Sequence, residues 1–118
     1  MTRHALVSGS SSGIGAAVAA ALLAEGWSVG LVGRRADALN ETASLAGANS
    51  GNAVALPCNV GKEPEVRAAF DSMVQRFGHL DLLFNNAGGG LAAKTPDLIT
   101  AAEWLQVVDV NLNGAFYC

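Results

Sequence analysis

The chain has 118 residues, of which 51% are hydrophobic, 14% charged and 6% aromatic, a balance that allows one domain with a real core and excludes disordered and low-complexity classes. Its formal net charge is −3 and its 7 basic residues are scattered, only Arg34 and Arg35 adjoining, so the clustered basic face that nucleic acid requires is missing. No apolar run approaches the roughly 18 residues of a bilayer span, and polar Ser8 to Ser12 arrive before a signal-peptide core forms.

Ala5-Leu6-Val7 predicts a short buried strand, ended by the run Ser8 to Gly15. From Ile14 to Glu25, Ile14, Val18 and Leu22 recur every four residues, which places them on one helix face, and Gly26 follows as a stop. Val29-Gly30-Leu31-Val32 predicts a second strand and Ala36 to Ala46 a second helix. Ala53-Val54-Ala55-Leu56 is a third strand. Val66, Phe70, Met73 and Phe77 step by four, three and four, as an amphipathic third helix does, and Gly78 closes it. Leu80 to Phe84 is apolar apart from Asp81, the pattern of a strand covered on both faces. Thr100-Ala101-Ala102-Glu103 has capping-box spacing, so a fourth helix is expected from about Ala101 towards the C-terminus, with Trp104, Val108 and Leu112 inward.

Four strands alternating with four helices predict an α/β fold, a Rossmann-type doubly wound parallel sheet with right-handed crossovers. Residues 1–118 read as one nucleotide-binding region with no linker or repeat, ending inside the helix that carries Asn111. Strand four would normally pair with a fifth strand. Without that strand its edge stays bare, so residues 1–118 alone are expected to be poorly stable and to be half of a longer protein.

The loop Ser8-Gly9-Ser10-Ser11-Ser12-Gly13-Ile14-Gly15 follows a strand and opens a helix. Amides at a helix N-terminus attract anionic oxygens, and glycine lets a pyrophosphate approach without a Cβ in the way. Ser10, Ser11 and Ser12 offer further hydroxyl donors. No lysine follows the last glycine, which argues against a Walker loop. About twenty residues on, where a dinucleotide site carries its ribose discriminator, the chain has Gly33-Arg34-Arg35 and no carboxylate. A guanidinium suits a 2′-phosphate that an aspartate would repel, so NADP is favoured over NAD. Cys58 and Cys118 have neither metal nor redox spacing. No metal-ligating set is expected, and a soluble cytoplasmic protein with reduced thiols is. His4 and His79 flank strands and read as surface residues.

At these residues the sequence resembles the short-chain dehydrogenase/reductase family. The family's glycine motif is matched from Ser8, where threonine is usual, through Gly15. Its Asn-Asn-Ala-Gly is matched by Asn85-Asn86-Ala87-Gly88, its Asn-Val by Asn59-Val60, and its helix asparagine by Asn111. The resemblance implies that Ser8, Gly9, Ser11, Ser12, Gly13, Ile14 and Gly15 surround the pyrophosphate, with Arg34 and Arg35 at the 2′-phosphate. Asn59 and Val60 would meet the adenine, and Asn86, Ala87 and Gly88 would lie along the ribose. Asn85 reads instead as a tie between neighbouring loops.

The family moves a hydride between nicotinamide and a carbonyl or alcohol carbon. A Tyr whose pKa is lowered by Lys exchanges the proton, a Ser holds the substrate oxygen, and the helix Asn organises a relaying water. Asn111 alone has a counterpart here. Tyr117 is the sole tyrosine, Lys62 and Lys94 both precede it, and no Tyr-x-x-x-Lys occurs. The expected parent is therefore an NAD(P)-dependent oxidoreductase of small carbonyl or alcohol substrates, homo-oligomeric as its relatives are, with residues 1–118 inactive alone. A non-catalytic dinucleotide sensor is the alternative. A response-regulator domain would need an acidic cluster at the strand ends, where Ser8-Gly9 stands.

Overall fold

A computed structural model describes residues 2–118. Its sheet has four parallel strands: β1 (His4–Ser8), β2 (Ser28–Gly33), β3 (Ala53–Pro57) and β4 (Leu82–Phe84), in the order β3-β2-β1-β4. The helices are α1 (Gly13–Ala24), α2 (Ala36–Ser44), α3 (Glu63–Phe77), α4 (Ala101–Val108) and the short α5 (Gly114–Tyr117). Two 3-10 turns, Gly47–Asn52 and Pro96–Leu98, lie in segments without periodic apolar residues.

Alternation along the central strands sorts their side chains between two cores. β1 pairs with β2 so that Leu6 faces Gly30 and Val7 faces Leu31. Leu6 and Val32 join Val66, Ala69 and Met73 of α3 in one cluster, whereas Val7, Val29 and Leu31 pack with Ala19 and Leu23 of α1 and Leu39 of α2 in the other. Leu6, Leu23, Leu31, Leu39 and Met73 are fully buried; each such side chain contributes about 1.5–3 kcal/mol. Being covered by helices on both faces, β1 and β2 need an almost unbroken apolar sequence.

Several expectations change at this level. The buried stripe of α1 is Gly15, Ala19 and Leu23, one position on from Ile14, Val18 and Leu22. Ile14 is 71% exposed, because the small residues let the helix sit closer to the sheet. The inward face of the last helix is likewise not the expected one. Trp104 and Leu112 are exposed, Val108 is half-buried, and Val110 and Tyr117 pack on the α3 cluster beside buried Gly114. β4 is only three residues long with Leu82 partly exposed, and its edge away from β1 is unpaired among the described residues. His4 is buried within β1 rather than on the surface. The capping box forms as read, Thr100 Oγ1 accepting from the Glu103 amide at 3.1 Å.

The final helix also does not run as a regular α-helix. Between α4 and α5, Asp109–Asn113 forms a π-helical turn with helical backbone angles at both junctions. The Asn111 side chain donates to the Val107 carbonyl at 2.9 Å, and a side chain that takes up a ladder acceptor is a recognised cause of such an irregularity.

Candidate functional site

The site begins where β1 runs into its glycine loop. Gly9 has φ 70°, in the left-handed region, and a Cβ there would lie 2.9 Å from the Ala87 Cα. A Cβ on Gly15 would overlap the Gly9 carbonyl oxygen. The start of α1 thus rests against the loop backbone, an approach open only to glycine. Ser12 caps α1 without a side-chain bond, and no acidic residue occupies the first turn. The first-turn amides therefore keep their unsatisfied, electropositive character.

The loop serines divide their work. Ser8 is fully buried, and its hydroxyl accepts from the Asn86 and Ala87 amides at 2.9 and 3.0 Å, joining the carboxyl ends of β1 and β4. Ser10, expected to offer its hydroxyl outward, is buried and turns it to the Val32 carbonyl at 3.3 Å, while Thr42 Oγ1 donates to the Ser10 carbonyl at 2.7 Å. Thr42 brings α2 over the loop and leaves Ser10 on its inner side. Ser11 and Ser12 line a cavity of about 640 Å³.

That cavity lies beyond the carboxyl ends of the strands and gathers Gly9, Ser11, Ser12, Arg34, Arg35, Asn59, Val60, Ala87, Gly88 and Asn111. A second hollow sharing the same glycine loop adds Ile14 and Asn86. Ser8, Gly13 and Gly15 line neither; Ser8 and Gly15 shape the loop from behind. Gln106, Val107 and Val110 also line the main cavity. No motif announces them, although their spacing from Asn111 puts them on one helical face. Gly89, Gly90 and Leu91 complete that wall.

The charge pattern of the lining is one-sided, since it contains two arginines and no carboxylate. Neither Arg34 nor Arg35 is paired with an acid among the described residues, and both are exposed. Cys58, also on the lining, is pushed up to about 11 by burial, with lesser contributions from Glu65 and Cys118, so it stands as a neutral thiol. Asn59 holds its own turn, its Oδ1 accepting from the Gly61 amide at 2.9 Å while its amide donates to Glu65 at 3.0 Å.

Asn85 ties neighbouring segments, donating to the Ala115 carbonyl at 2.8 Å. Asn111 clamps the loop after β4: its Oδ1 accepts from the Gly89 amide at 3.1 Å and its Nδ2 donates to the Gly89 carbonyl at 2.9 Å. The π-turn sets Asn111 at that junction, so one side chain connects the long helix, the loop and the cavity wall.

A parallel sheet whose order reverses between β1 and β4, with a glycine loop and a cavity at that reversal, defines a doubly wound α/β protein of the Rossmann type. The sequence pattern described as short chain dehydrogenase matches residues 3–118, and the chain belongs to that family. It is 36% identical over 113 residues to a 3beta-hydroxysteroid dehydrogenase of Mediterraneibacter gnavus, covering 96% of this chain and 41% of that protein. Among solved structures it is similar to a 3-ketoacyl-(acyl-carrier-protein) reductase from Brucella melitensis complexed with NADH, with TM-score 0.89, 30% identity and coverage of 98% of this chain and 46% of the other. A metagenomic short-chain oxidoreductase in complex with NADP gives TM-score 0.90, 30% identity and coverage of 98% and 52%. The chain therefore spans about half the length of the proteins it matches. No helix among the described residues is long and apolar enough to cross a membrane.

Proposed function

We propose that residues 1–118 are the dinucleotide-binding region of an NAD(P)-dependent oxidoreductase acting on a small carbonyl or alcohol substrate, with NADP preferred. One observation carries the preference: the cavity that starts at the glycine loop ends at Arg34 and Arg35 and holds no carboxylate. A dinucleotide laid along that cavity would run from the glycine loop to the arginines. The α1 amides with Ser11 and Ser12 would hold its pyrophosphate, the half-buried Asn59 and buried Val60 its adenine, and Asn86, Ala87 and Gly88 a ribose. A bound nicotinamide supplies or accepts the hydride.

Asn111 would act as a positioning residue. By fixing both polar groups of Gly89 it holds the β4 loop against the long helix, where a proton-relaying water would be ordered. On this reading the Ser and the Tyr-Lys pair lie outside residues 1–118. The relatives named as dehydrogenases and reductases support an oxidoreductase over a non-catalytic sensor. The exposed Trp104, Leu112 and Phe116 support pairing of copies through the helical run from α4 to α5, and the scattered basic residues argue against nucleic acid. A cytoplasmic location belongs to the same proposal.

The test is a fluorescence titration of the complete natural protein with NADPH and NADH, before and after Arg34→Ala. A charge-assisted hydrogen bond is worth about 1.5–3 kcal/mol, so NADPH affinity should fall roughly 10- to 150-fold. NADH affinity should change by less than about threefold, since it lacks the phosphate. Equal losses for both cofactors, or none for either, would refute the assignment of the arginine.

A further inference from the structure

The opposite end of the sheet carries a second cluster of chemistry-bearing side chains. His4 opens β1 and Asp81 immediately precedes β4, so parallel pairing brings their strand starts together across 77 positions of sequence. His79 sits in the turn between α3 and β4. One ring nitrogen of His4, one of His79 and a carboxylate oxygen of Asp81 all lie within 4.8 Å of one another. Asp81 Oδ2 accepts from the His4 amide at 2.8 Å and lies 3.0 Å from His79 Nε2. The His4 ring stacks on Phe77, with centroids 4.9 Å apart, and meets the His79 ring edge-on at 4.5 Å.

A separate observation distinguishes this cluster from an ordinary surface ion pair. His4 is only 8% exposed, and its Nδ1 is sealed from solvent with no hydrogen-bond partner. A buried imidazole nitrogen left unserved is costly, and such groups in native proteins call for a specific explanation, an ion among them. Two imidazoles and one carboxylate suit zinc and its transition-metal neighbours better than calcium or magnesium, which favour all-oxygen sites. Ligands bound about 2.0–2.2 Å from one tetrahedral ion stand about 3.4 Å apart. Of the two imidazoles His79 is the one free to adjust towards an ion, since its side chain is 51% exposed and His4 is buried.

We propose that His4, His79 and Asp81 form a site for a divalent transition metal of the zinc type, with water completing the coordination. The metal would clip the start of β1 to the turn that feeds β4. Its role is structural, because the strands separate it from the dinucleotide cavity by their full length. This site does not depend on the cofactor assignment.

The experiment uses the complete natural protein, free of any polyhistidine tag and stripped with a chelator, titrated with Co2+ as a visible probe and then with Zn2+. One Co2+ per chain should bind with ligand-field absorption that Zn2+ displaces. His79→Ala should abolish that spectrum: loss of an outer-shell partner alone costs about 10–100-fold in affinity, so loss of a ligand should cost at least about 100-fold. Zn2+ should raise the thermal midpoint of the unmodified protein and leave that of His79→Ala unchanged. His4→Phe, which keeps an aromatic ring against Phe77, should also lose the metal. A native far-ultraviolet circular dichroism spectrum of His79→Ala would show that the variant is folded. Absence of Co2+ and Zn2+ binding by the unmodified protein, or equal binding by His79→Ala, would overturn the proposal.

Discussion

Replacing Ser8 with alanine removes the one hydroxyl that joins the carboxyl ends of β1 and β4. Its oxygen is fully buried and accepts from two amides, Asn86 at 2.9 Å and Ala87 at 3.0 Å. A net hydrogen bond contributes about 0.5–1.5 kcal/mol, whereas a buried donor left unserved costs about 1–3 kcal/mol. Two stranded donors set an upper limit of about 6 kcal/mol by that reckoning. Asn86 and Ala87 are half-buried, so water serves part of the need, and the expected loss is about 2–3 kcal/mol, or roughly 30- to 150-fold in the folding equilibrium. Chemical denaturation of the complete protein, followed by circular dichroism, measures it. Ser8→Thr retains the acceptor and adds only a methyl group, at about 1 kcal/mol of overpacking, so it should keep most of the stability. NADPH affinity should fall in the alanine variant as the loop from Asn86 to Gly88 loosens. A Ser8→Ala stability within about 0.5 kcal/mol of the unmodified protein, or a threonine variant as damaged as the alanine one, would refute this role for the hydroxyl.

Two further outcomes follow from neighbouring groups. Gly15→Ala places a Cβ onto the Gly9 carbonyl and 2.8 Å from Asn86 Nδ2; overpacking of this kind costs about 1–3 kcal/mol. Because the strain falls on the loop, a native circular dichroism spectrum should accompany at least about tenfold weaker NADPH binding, and undiminished binding would contradict the close approach. Cys58, raised to about 11 chiefly by burial, should be alkylated at pH 8 about 100-fold more slowly than an unperturbed thiol. A raised folded pKa stabilises fully below the unfolded value and loses its effect as pH rises through the folded one. Stability should therefore decline between about pH 9 and about pH 11, and Cys58→Ala should flatten that decline; an identical decline in the variant would assign it to other groups.

Much of the architecture was legible locally. The strand Ala5-Leu6-Val7, the glycines at 9, 13 and 15, the stops at Gly26 and Gly78 and the cap at Thr100 each follow from stereochemistry confined to a few neighbouring residues. The order of strands and helices then predicts a parallel sheet. The gathering of Gly9, Arg34, Asn59 and Ala87 on one cavity was also legible, because every loop that follows a parallel strand opens at the same end of the sheet; Asn111, on the long helix, was expected there only from the family resemblance.

Other features depend on contacts between distant segments. Periodicity places Ile14, Val18 and Leu22 on one face of α1, but Gly15, Ala19 and Leu23 pack deepest, Val18 and Leu22 are only partly buried beside them and Ile14 is exposed, since Gly15 approaches the loop backbone closely. Leu112 is outward for a related reason: buried Gly114 packs closely on Val60, and the π-turn rotates the residues beyond Val108. The inward hydroxyl of Ser10 depends on the Val32 carbonyl, 22 positions away, and Thr42, 32 positions away, holds the Ser10 carbonyl. The meeting of His4, His79 and Asp81 depends on β1 lying beside β4, a pairing of segments that no local pattern encodes. The sequence by itself determined the four strands, the helices that join them and the end of the sheet at which their loops meet. Tertiary structure decided which of two apolar faces is buried and which distant polar groups become neighbours, because those choices are made by long-range packing and hydrogen bonding between elements already formed.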